Sequence, residues 1–277
     1  MPTGLNDLPE PADLHARLSA RRPLDWGDPI PSKVELAAEY GVRKATESLQ
    51  LLTKAAAVEE RITEAMITSI GDTAAPYHLA NRVKSPHSLA RKLATLENYY
   101  RRTQQVPEDV LRYTAAVKHP DELTEAAVRT IDRLKDRVDW QMESAHHSYV
   151  DGSRYKGLHT FLHSHGERIE LQVHSGESID VKERTTPLYE IERDRRQDPA
   201  TRDAARRECI ALSDQMTQPA GIDELRELGG APVQAISYGK QRQAHRSEAV
   251  QTGNGAAGSA PRLTHQPIQN RQNGVAR

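Results

Sequence analysis

The chain has 277 residues, and its 38 Lys and Arg against 39 Asp and Glu give a formal net charge of −1. Near-neutral charge argues against a protein that coats nucleic acid, because such proteins usually carry a strongly basic face or domain. The single cysteine, Cys209, excludes a disulfide framework within the chain. No apolar run approaches the length that spans a bilayer, and the residues after Met1 lack a secretory-signal pattern, so we expect a cytoplasmic protein with no membrane partner.

The composition predicts three regions along the chain. Residues 1–30 are rich in Pro, Asp and Arg without a clear period, which predicts a loosely ordered leader. Residues 31–220 alternate helical and strand patterns and are expected to form the domain. Residues 221–277 turn to Gly, Gln, Asn, Ala and Ser, a composition that buries too little apolar surface to offset the entropy of ordering. We therefore expect a disordered low-complexity tail.

The first helical pattern begins at Ser32, which forms a capping-box sequence with Glu35, and runs to about Ile70, as one helix or two. A later helix is predicted where Ser85, a typical N-cap residue, is followed by Pro86 at the first helical position. Further helices are expected over residues 120–137, 178–195 and 200–216.

Lys84, Ser88 and Lys92 fall on one stripe of the helix that Pro86 opens, because residues four apart stack on one side. Two ammonium groups and a hydroxyl would thus lie beside a helix N-terminus, which itself attracts anions. This arrangement fits a triphosphate site. The alternative is an ordinary surface helix with a basic solvent-facing side.

After Pro107 the sequence has an acidic pair, Glu108 and Asp109, and then a β-branched and aromatic run typical of a strand. Mg²⁺ takes oxygen ligands and is usually held by one or two carboxylates plus substrate phosphates. Asp109 could supply one carboxylate, and Glu170 on a later strand the other. A lone Asp before a strand is otherwise a cap or turn residue.

Residues 169–174 alternate apolar and polar side chains, which predicts a strand with two different faces. Glu170, Gln172 and His174 share one face, and a half-buried strand with a solvated face would give the same alternation. A hairpin turning at residues 165–166 would pair this strand with the one before it. The expected strands are residues 109–117, 138–143, 157–164 and 168–175.

Taken in order, these segments resemble the synthetase domain of the RelA/SpoT family over about residues 82–190. The resemblance implies an α+β fold with a nucleotidyltransferase-like mixed sheet of four to five strands flanked by helices. It also implies transfer of the β,γ-pyrophosphate of ATP to a ribose 3′-hydroxyl. The resemblance makes Asp109 and Glu170 the catalytic residues and the ligands of Mg²⁺.

The resemblance also assigns two sets of binding residues. Arg82 is similar to the family arginine that stacks on adenine, an interaction suited to its planar guanidinium. The implied ATP-binding residues are Arg82, Lys84, Ser88, Arg91, Lys92 and Arg112. Tyr155 would provide an aromatic face for the acceptor base. The implied acceptor-binding residues are Tyr155, Lys156, Gly157, His159, Gln172 and His174.

Departures from the family pattern bear on the acceptor. Housekeeping alarmone synthetases usually have a small residue three positions after the aspartate and an arginine five after it, whereas this chain has Arg112 and Thr114. That pattern resembles the growth-inhibiting toxin-type small synthetases. The acceptor therefore stays open between guanine nucleotides, adenine nucleotides and the 3′ end of tRNA, and an antitoxin protein is a candidate partner. Residues 182–190 resemble the segment that closes the domain in small members of the family. They have Thr186 where the resemblance implies a histidine.

Two other functions were weighed. His146, His147 and Asp151 invite a metal-hydrolase interpretation, which we reject because adjacent residues on a strand point to opposite faces and a full ligand set is lacking. The second is a catalytically silent nucleotide-binding sensor or antagonist on the same fold, because fold alone does not guarantee function. The intact carboxylate pair favours the enzyme.

Overall fold

A mixed β-sheet of seven strands runs through the computed structural model, which describes residues 4–103 and 105–238. The spatial order is β1-β2-β5-β4-β3-β7-β6. Strand β2 is parallel to β5, and β3 is parallel to β7, whereas the other neighbours are antiparallel. The strands are β1 (Ala75–Tyr77), β2 (Leu111–Val117), β3 (Gln141–His147), β4 (Leu158–Ser164), β5 (Glu167–Ser175), β6 (Glu227–Leu228) and β7 (Ala231–Ala235).

Eight α-helices of the described residues flank this sheet. They are α1 (Pro11–Ser19), α2 (Lys33–Tyr40), α3 (Val42–Ile70), α4 (Pro86–Thr95), α5 (Glu97–Thr103), α6 (Leu123–Lys135), α7 (Gly176–Arg193) and α8 (Pro199–Asp214). The predicted α+β class, with a mixed sheet flanked by helices, is confirmed. The sheet has more strands than the four to five expected, because β1, β6 and β7 are too short to give a clear sequence pattern. No described helix combines the length and apolar character needed to cross a bilayer.

Local sequence signals explain where several elements begin and end. Ser32 accepts a hydrogen bond from the Glu35 amide at 3.3 Å and caps α2 as predicted. Gly41, with φ of +85°, separates α2 from α3. The predicted hairpin is confirmed: β4 and β5 pair antiparallel and turn at His165 and Gly166, both at positive φ, as a tight two-residue turn requires.

Strand β5 lies near the middle of the sheet and has two distinct faces. Ile169, Leu171 and Val173 are fully buried in the apolar core, as predicted. The polar face is buried as well, because α7 packs over it: the Lys182 ammonium lies 3.4 Å from the Gln172 side-chain oxygen. The alternation therefore marks an enclosed polar layer and not a solvated surface.

The expected leader needs correction. Residues 11–19 form α1, which contacts α3, and Leu14, Leu18, Leu24 and Trp26 are buried in the main core. The apolar residues are few, but the spacing of Leu14 and Leu18 places both on one side of a helix. Backbone carbonyls hold the rest of the segment in place by accepting hydrogen bonds from Arg82. Amino-acid composition does not predict such bonds, because every residue has a carbonyl.

The expected boundary at residue 221 also needs correction. Ile222 and Leu228 are buried, and β7 pairs with β3 so that Ala145 lies opposite Val233 and His147 opposite Ala235. Strand pairing satisfies backbone groups at an open sheet edge and requires few apolar side chains. Residues 239–277 of the predicted tail lie outside the described residues.

Candidate active site

Asp109 lies between two lysines, directly before β2. The Lys84 ammonium is 2.7 Å from its Oδ2 and the Lys92 ammonium is 2.8 Å from its Oδ1. Backbone pairing fixes this arrangement, since the Lys84 amide donates to the Val110 carbonyl at 3.0 Å. Ser85 caps α4 by accepting from the Ser88 amide, so Lys92 projects from the last turn of the helix toward the same carboxylate.

The charges of Asp109, Lys84 and Lys92 influence one another's pKa values. Burial disfavours ionised Asp109, but the ammonium groups of Lys84 and Lys92 outweigh burial and hold the pKa of the carboxyl well below its usual range. Burial lowers the pKa of Lys84 despite its contact with Asp109. Asp109 is therefore a carboxylate at neutral pH. A carboxylate offers about four lone-pair sites, so two lysine contacts do not exhaust its capacity to accept.

Glu170 occupies the second centre, on β5, and is 1% exposed. His159 Nδ1 lies 2.8 Å from Glu170 Oε1, and the Gln172 amide nitrogen donates to the same oxygen at 2.9 Å. Burial opposes ionisation of Glu170, but the hydrogen bond and charge of His159 lower its pKa to about 2. Because an ionised carboxylate only accepts, His159 must donate from Nδ1. Its Nε2 is buried and has no hydrogen-bond partner among the described residues.

The sheet brings the two carboxylates into one electrostatic environment. Strands β2 and β5 are parallel neighbours with Arg112 opposite Glu170, and Asp109 lies three residues before Arg112. The charge of Asp109 opposes the ionisation of Glu170, and Arg112 favours it. Asp109, Lys84 and Arg112 also line a common small cavity. Two residues far apart in sequence thus lie at neighbouring strands of the sheet, and their joint binding of one cation stays a prediction.

The two carboxylates fit a hard divalent cation by their chemistry. Both are ionised; Asp109 lies just before β2, and Glu170 lies on the neighbouring strand β5. Mg²⁺ is commonly bound by one or two carboxylates together with substrate phosphates. The described residues contain no cluster of three or more His, Cys, Asp or Glu side chains that would hold a metal unaided.

Most of the predicted acceptor residues form a second cluster beside Glu170. The Tyr155 hydroxyl lies 2.8 Å from His174 Nε2, and His174 Nδ1 lies 3.0 Å from the Ser178 hydroxyl. Gly157 is required here, because a Cβ at this position would lie 2.7 Å from the His174 ring. The Tyr155 and His159 rings are 5.5 Å apart.

Lys156 does not join this cluster. Its buried ammonium lies 3.3 Å from Asp214 at the end of α8. Its neighbours Tyr155 and Gly157 do belong to the cluster. Lys156 therefore anchors the loop to α8, and the structure gives it no role in the acceptor cluster.

Arg82 also departs from its expected role. Its Nε lies 2.5 Å from Glu59, and its terminal nitrogens donate to the backbone carbonyls of Leu18, Arg22, Pro23 and Leu79. The side chain is 1% exposed. A guanidinium enclosed in this way has no face available for adenine. Arg82 instead ties α1 and the segment after it to α3 and β2.

The remaining ATP-binding candidates lie on the open side of α4. Ser88 and Arg91 line a cleft of about 970 Å³ between α4 and the end of α7. Trp26 also lines this cleft, and its indole nitrogen donates to the Val83 carbonyl at 2.9 Å. The volume of this cleft is large enough for a nucleotide, whereas the volume of the cavity at Asp109 is small.

Three side chains near the acceptor cluster were not predicted as site residues. His146 stacks on His159 with ring centroids 5.0 Å apart, and its Nε2 lies 2.9 Å from the Tyr238 hydroxyl. Lys182 lies on α7 and is half-buried. Tyr238 lies in the segment predicted as a low-complexity tail, and His146 was considered only as a metal ligand, an interpretation that the sequence did not support.

Lys182 provides a prediction about pH and stability. Burial lowers its pKa to about 8, so the unfolded chain binds more protons than the folded protein between about pH 8 and pH 10.5. The unfolding free energy of the wild type, minus that of Lys182→Met, should therefore rise through this window by on the order of 1 kcal/mol per pH unit. Below pH 8 the difference should be constant.

Urea unfolding of both proteins at pH 7, 8, 9 and 10 tests this expectation. A difference that does not change with pH would mean that Lys182 keeps an ordinary pKa and is solvated. The substitution Lys118→Met, on an exposed residue, is the matched control and should give no pH-dependent difference.

Comparisons with known proteins give similarity to solved structures alone. No family model matches the sequence, and no curated protein matches it. The chain is similar to the small alarmone synthetase 1 from Bacillus subtilis, with 14% identity over 72% of this chain and 96% of that one, at a TM-score of 0.38. It is also similar to smu.1046c from Streptococcus mutans UA159, with 13% identity over 77% and 97% of the chains, at 0.38. A third similar structure is a GTP pyrophosphokinase family protein from Streptococcus pneumoniae, with 15% identity over 70% and 92%, at 0.37.

Proposed function

We propose that this protein is a pyrophosphokinase, which transfers the β,γ-pyrophosphate of ATP to a ribose 3′-hydroxyl. The observation that carries the proposal is a pair of ionised carboxylates at two adjacent parallel strands: Asp109, just before β2 and bonded by two lysines, and Glu170 on β5. The same residues carry the sequence resemblance to RelA/SpoT synthetases. The reaction needs a site that binds a triphosphate and a second nucleoside, and the structure offers a cluster for each.

Lys84 and Lys92, with Ser88, Arg91 and Arg112, are proposed to bind the phosphates of ATP. Phosphoryl-type transfer depends mostly on positioning and on stabilising charge. Two buried ammonium groups are strong stabilisers because the surrounding dielectric is low. When ATP enters, its phosphates can take over from Asp109 as the partners of the lysines. Asp109 would then be released for a cation.

Asp109 and Glu170 are proposed to hold Mg²⁺. When bound, the cation would neutralise charge that develops on the transferred phosphates. A pKa of about 2 makes Glu170 a good cation ligand and a weak general base. Its hydrogen bond with His159 also fixes the orientation of the imidazole that faces the acceptor cluster.

In the reaction, the 3′-oxygen of the acceptor attacks the β-phosphorus of ATP. The bond between that phosphorus and the oxygen that bridges to the α-phosphate breaks, and AMP leaves with the bonding electron pair. The 3′-hydroxyl loses its proton to a base at the site. Tyr155, Gly157, His159, Gln172 and His174 are proposed to position the acceptor for this attack.

The toxin-type pattern at Arg112 and Thr114 leaves the acceptor class open. We propose an acceptor among guanine nucleotides, adenine nucleotides and the 3′ end of tRNA. Growth inhibition and a neutralising antitoxin protein are parts of the same proposal. Expression of the wild type and of a Glu170→Gln variant in a bacterial host would test whether growth inhibition depends on the catalytic site.

The direct test is transfer of label. Purified protein is incubated with γ-labelled ATP and Mg²⁺ together with separate pools of GDP, GTP, AMP and bulk tRNA. Label on one pool, lost when Mg²⁺ is chelated, is the expected result. Label on none of them would refute the enzyme.

One observation favours the second candidate, a silent nucleotide-binding sensor. Each oxygen of Asp109 contacts a lysine, and Arg82 has no face free for adenine. A sensor would bind ATP tightly in the 970 Å³ cleft without turnover. Equilibrium binding of ATP without any transfer to an acceptor would establish it.

A further inference from the structure

A small cavity lies beside Tyr155, and Tyr238 forms one of its walls. Tyr238 belongs to residues 221–277, which the sequence predicted to be a tail. The cavity is lined by Tyr155, Lys182, Thr185, Tyr189, Cys209 and Tyr238, among others. Tyr155 comes from the loop before β4, and the next four residues come from α7 and α8. Only Tyr238 comes from the segment after β7. Its ring lies 5.7 Å from the Tyr155 ring at an interplanar angle of 71°.

Tyr238 is held in place by three separate contacts. Strand β7 pairs with β3, and the Ile236 amide continues this pairing by donating to the His147 carbonyl at 2.9 Å. The Tyr238 amide donates to the Ser153 hydroxyl at 3.3 Å. Its own hydroxyl bonds His146 Nε2 at 2.9 Å. A side chain fixed at both its backbone and its hydroxyl presents a rigid ring to the cavity.

The lining has the chemistry of a nucleobase site. Tyrosine rings supply faces for stacking, which contributes to binding of every base. The Thr185 and Thr186 hydroxyls donate to backbone carbonyls of α7 and can still accept a hydrogen bond. Together with the Lys182 ammonium, which donates, they supply groups that distinguish the edges of a base. The Arg154 guanidinium lies 4.6 Å over the Tyr189 ring and closes another side.

We infer that Tyr238 is a specificity-determining residue that forms one wall of the pocket for the acceptor base. This inference rests on the proposed function, since it assigns the cavity beside Tyr155 to the acceptor. The wall limits the size and orientation of the base that can stack on Tyr155. The segment after β7 is thereby part of the acceptor site.

Tyr238→Ala and Tyr238→Phe provide the test, with Gln234→Ala as the matched control. Gln234 is exposed on β7, so its loss keeps the strand and leaves the cavity untouched. Calorimetry of each full-length protein measures binding of GMP, AMP, CMP, UMP and a CCA trinucleotide. A non-hydrolysable ATP analogue serves as the second ligand.

We expect Tyr238→Ala to weaken binding of the preferred probe by roughly ten-fold or more, the scale of a lost base–aromatic contact. The preference among bases should shrink as well. Tyr238→Phe keeps the ring and should bind within about three-fold of wild type, since a single neutral hydrogen bond is lost. Gln234→Ala and the ATP analogue should show no change.

Three results would overturn the inference. They are unchanged or tighter binding to Tyr238→Ala, equal weakening by Gln234→Ala, and no binding of any probe to the wild type. Failure of the proposed function gives a different result. If the probes bind as expected but no pyrophosphate is transferred, the base pocket is supported and the proposed enzymatic activity is refuted. If transfer occurs but Tyr238→Ala has wild-type affinity and selectivity, the enzyme stands and the inference falls.

Discussion

The substitution Glu170→Gln is expected to reduce pyrophosphate transfer by about 10³-fold, the scale of losing a charged group that acts at the reacting centre. Glutamine has nearly the same shape and keeps an oxygen that can accept from His159 and Gln172. The fold should therefore survive. What is lost is a negative charge beside Asp109, and with it half of the proposed cation site. Initial rates with γ-labelled ATP at saturating Mg²⁺ measure the effect.

Glu167→Gln is the matched control for this prediction. Glu167 opens the same strand, at the end remote from His174, and it lies at the hairpin turn. The same change of charge there should leave the rate within about two-fold, since surface substitutions away from a site have small effects. Circular dichroism establishes that both variants are folded. A fully active Glu170→Gln variant would remove Glu170 from the mechanism.

The substitution Arg82→Ala is expected to lower the free energy of unfolding by about 3–5 kcal/mol, as removal of one partner from a buried ion pair does. Glu59 would be left as a buried carboxylate without a cationic partner. The backbone carbonyls of Leu18, Arg22 and Pro23 would lose the guanidinium as a donor, whereas the Leu79 carbonyl keeps the backbone amide of residue 82. Urea unfolding followed by tryptophan fluorescence measures the loss. The segment that contains Trp26 should detach first.

Arg91→Ala separates this role of Arg82 from nucleotide binding. Arg91 lines the open cleft and is only partly buried, so its removal should change stability by less than about 1 kcal/mol while weakening ATP binding. A stable Arg82→Ala variant with a raised KM for ATP would contradict the buried role. It would restore the adenine-stacking role that the family resemblance implies.

The features that local patterns encode were predictable. The hairpin of β4 and β5 follows from alternation and from His165-Gly166, and α4 follows from Ser85-Pro86. The pairing of Lys84 and Lys92 on one side follows from their spacing, and the phosphate binding predicted for them stays a prediction. These signals act between residues that are near in sequence. Tertiary contacts are compatible with the same local structures, so the predicted turn and helix start are retained in the fold.

The features that depend on distant backbone contacts were not predictable. The carbonyls that enclose Arg82 belong to residues 18–23, and a carbonyl is the same at every position of the chain. Strand β7 reaches β3 through backbone pairing, which polar residues also form, so composition placed Tyr238 in a disordered tail. Side-chain types therefore predict neither the carbonyls around Arg82 nor the pairing of β7 with β3.

The charge states of the site also required the folded structure. Burial and paired charges act together on Asp109 and Glu170, and the net direction depends on which neighbours lie within hydrogen-bond distance. Sequence supplied the carboxylates. The fold supplied Lys84 and Lys92 as the groups that hold Asp109 ionised.

Position-labelled ATP tests the central claim most directly. The protein is incubated with Mg²⁺, the acceptor pools and ATP that carries distinguishable labels on its α- and γ-phosphates. Transfer of pyrophosphate predicts α-labelled AMP in an amount equal to the γ-label found on the acceptor, with both lost in Glu170→Gln. Formation of α-labelled ADP with a single phosphate on the acceptor, or no AMP with any acceptor, would contradict the account.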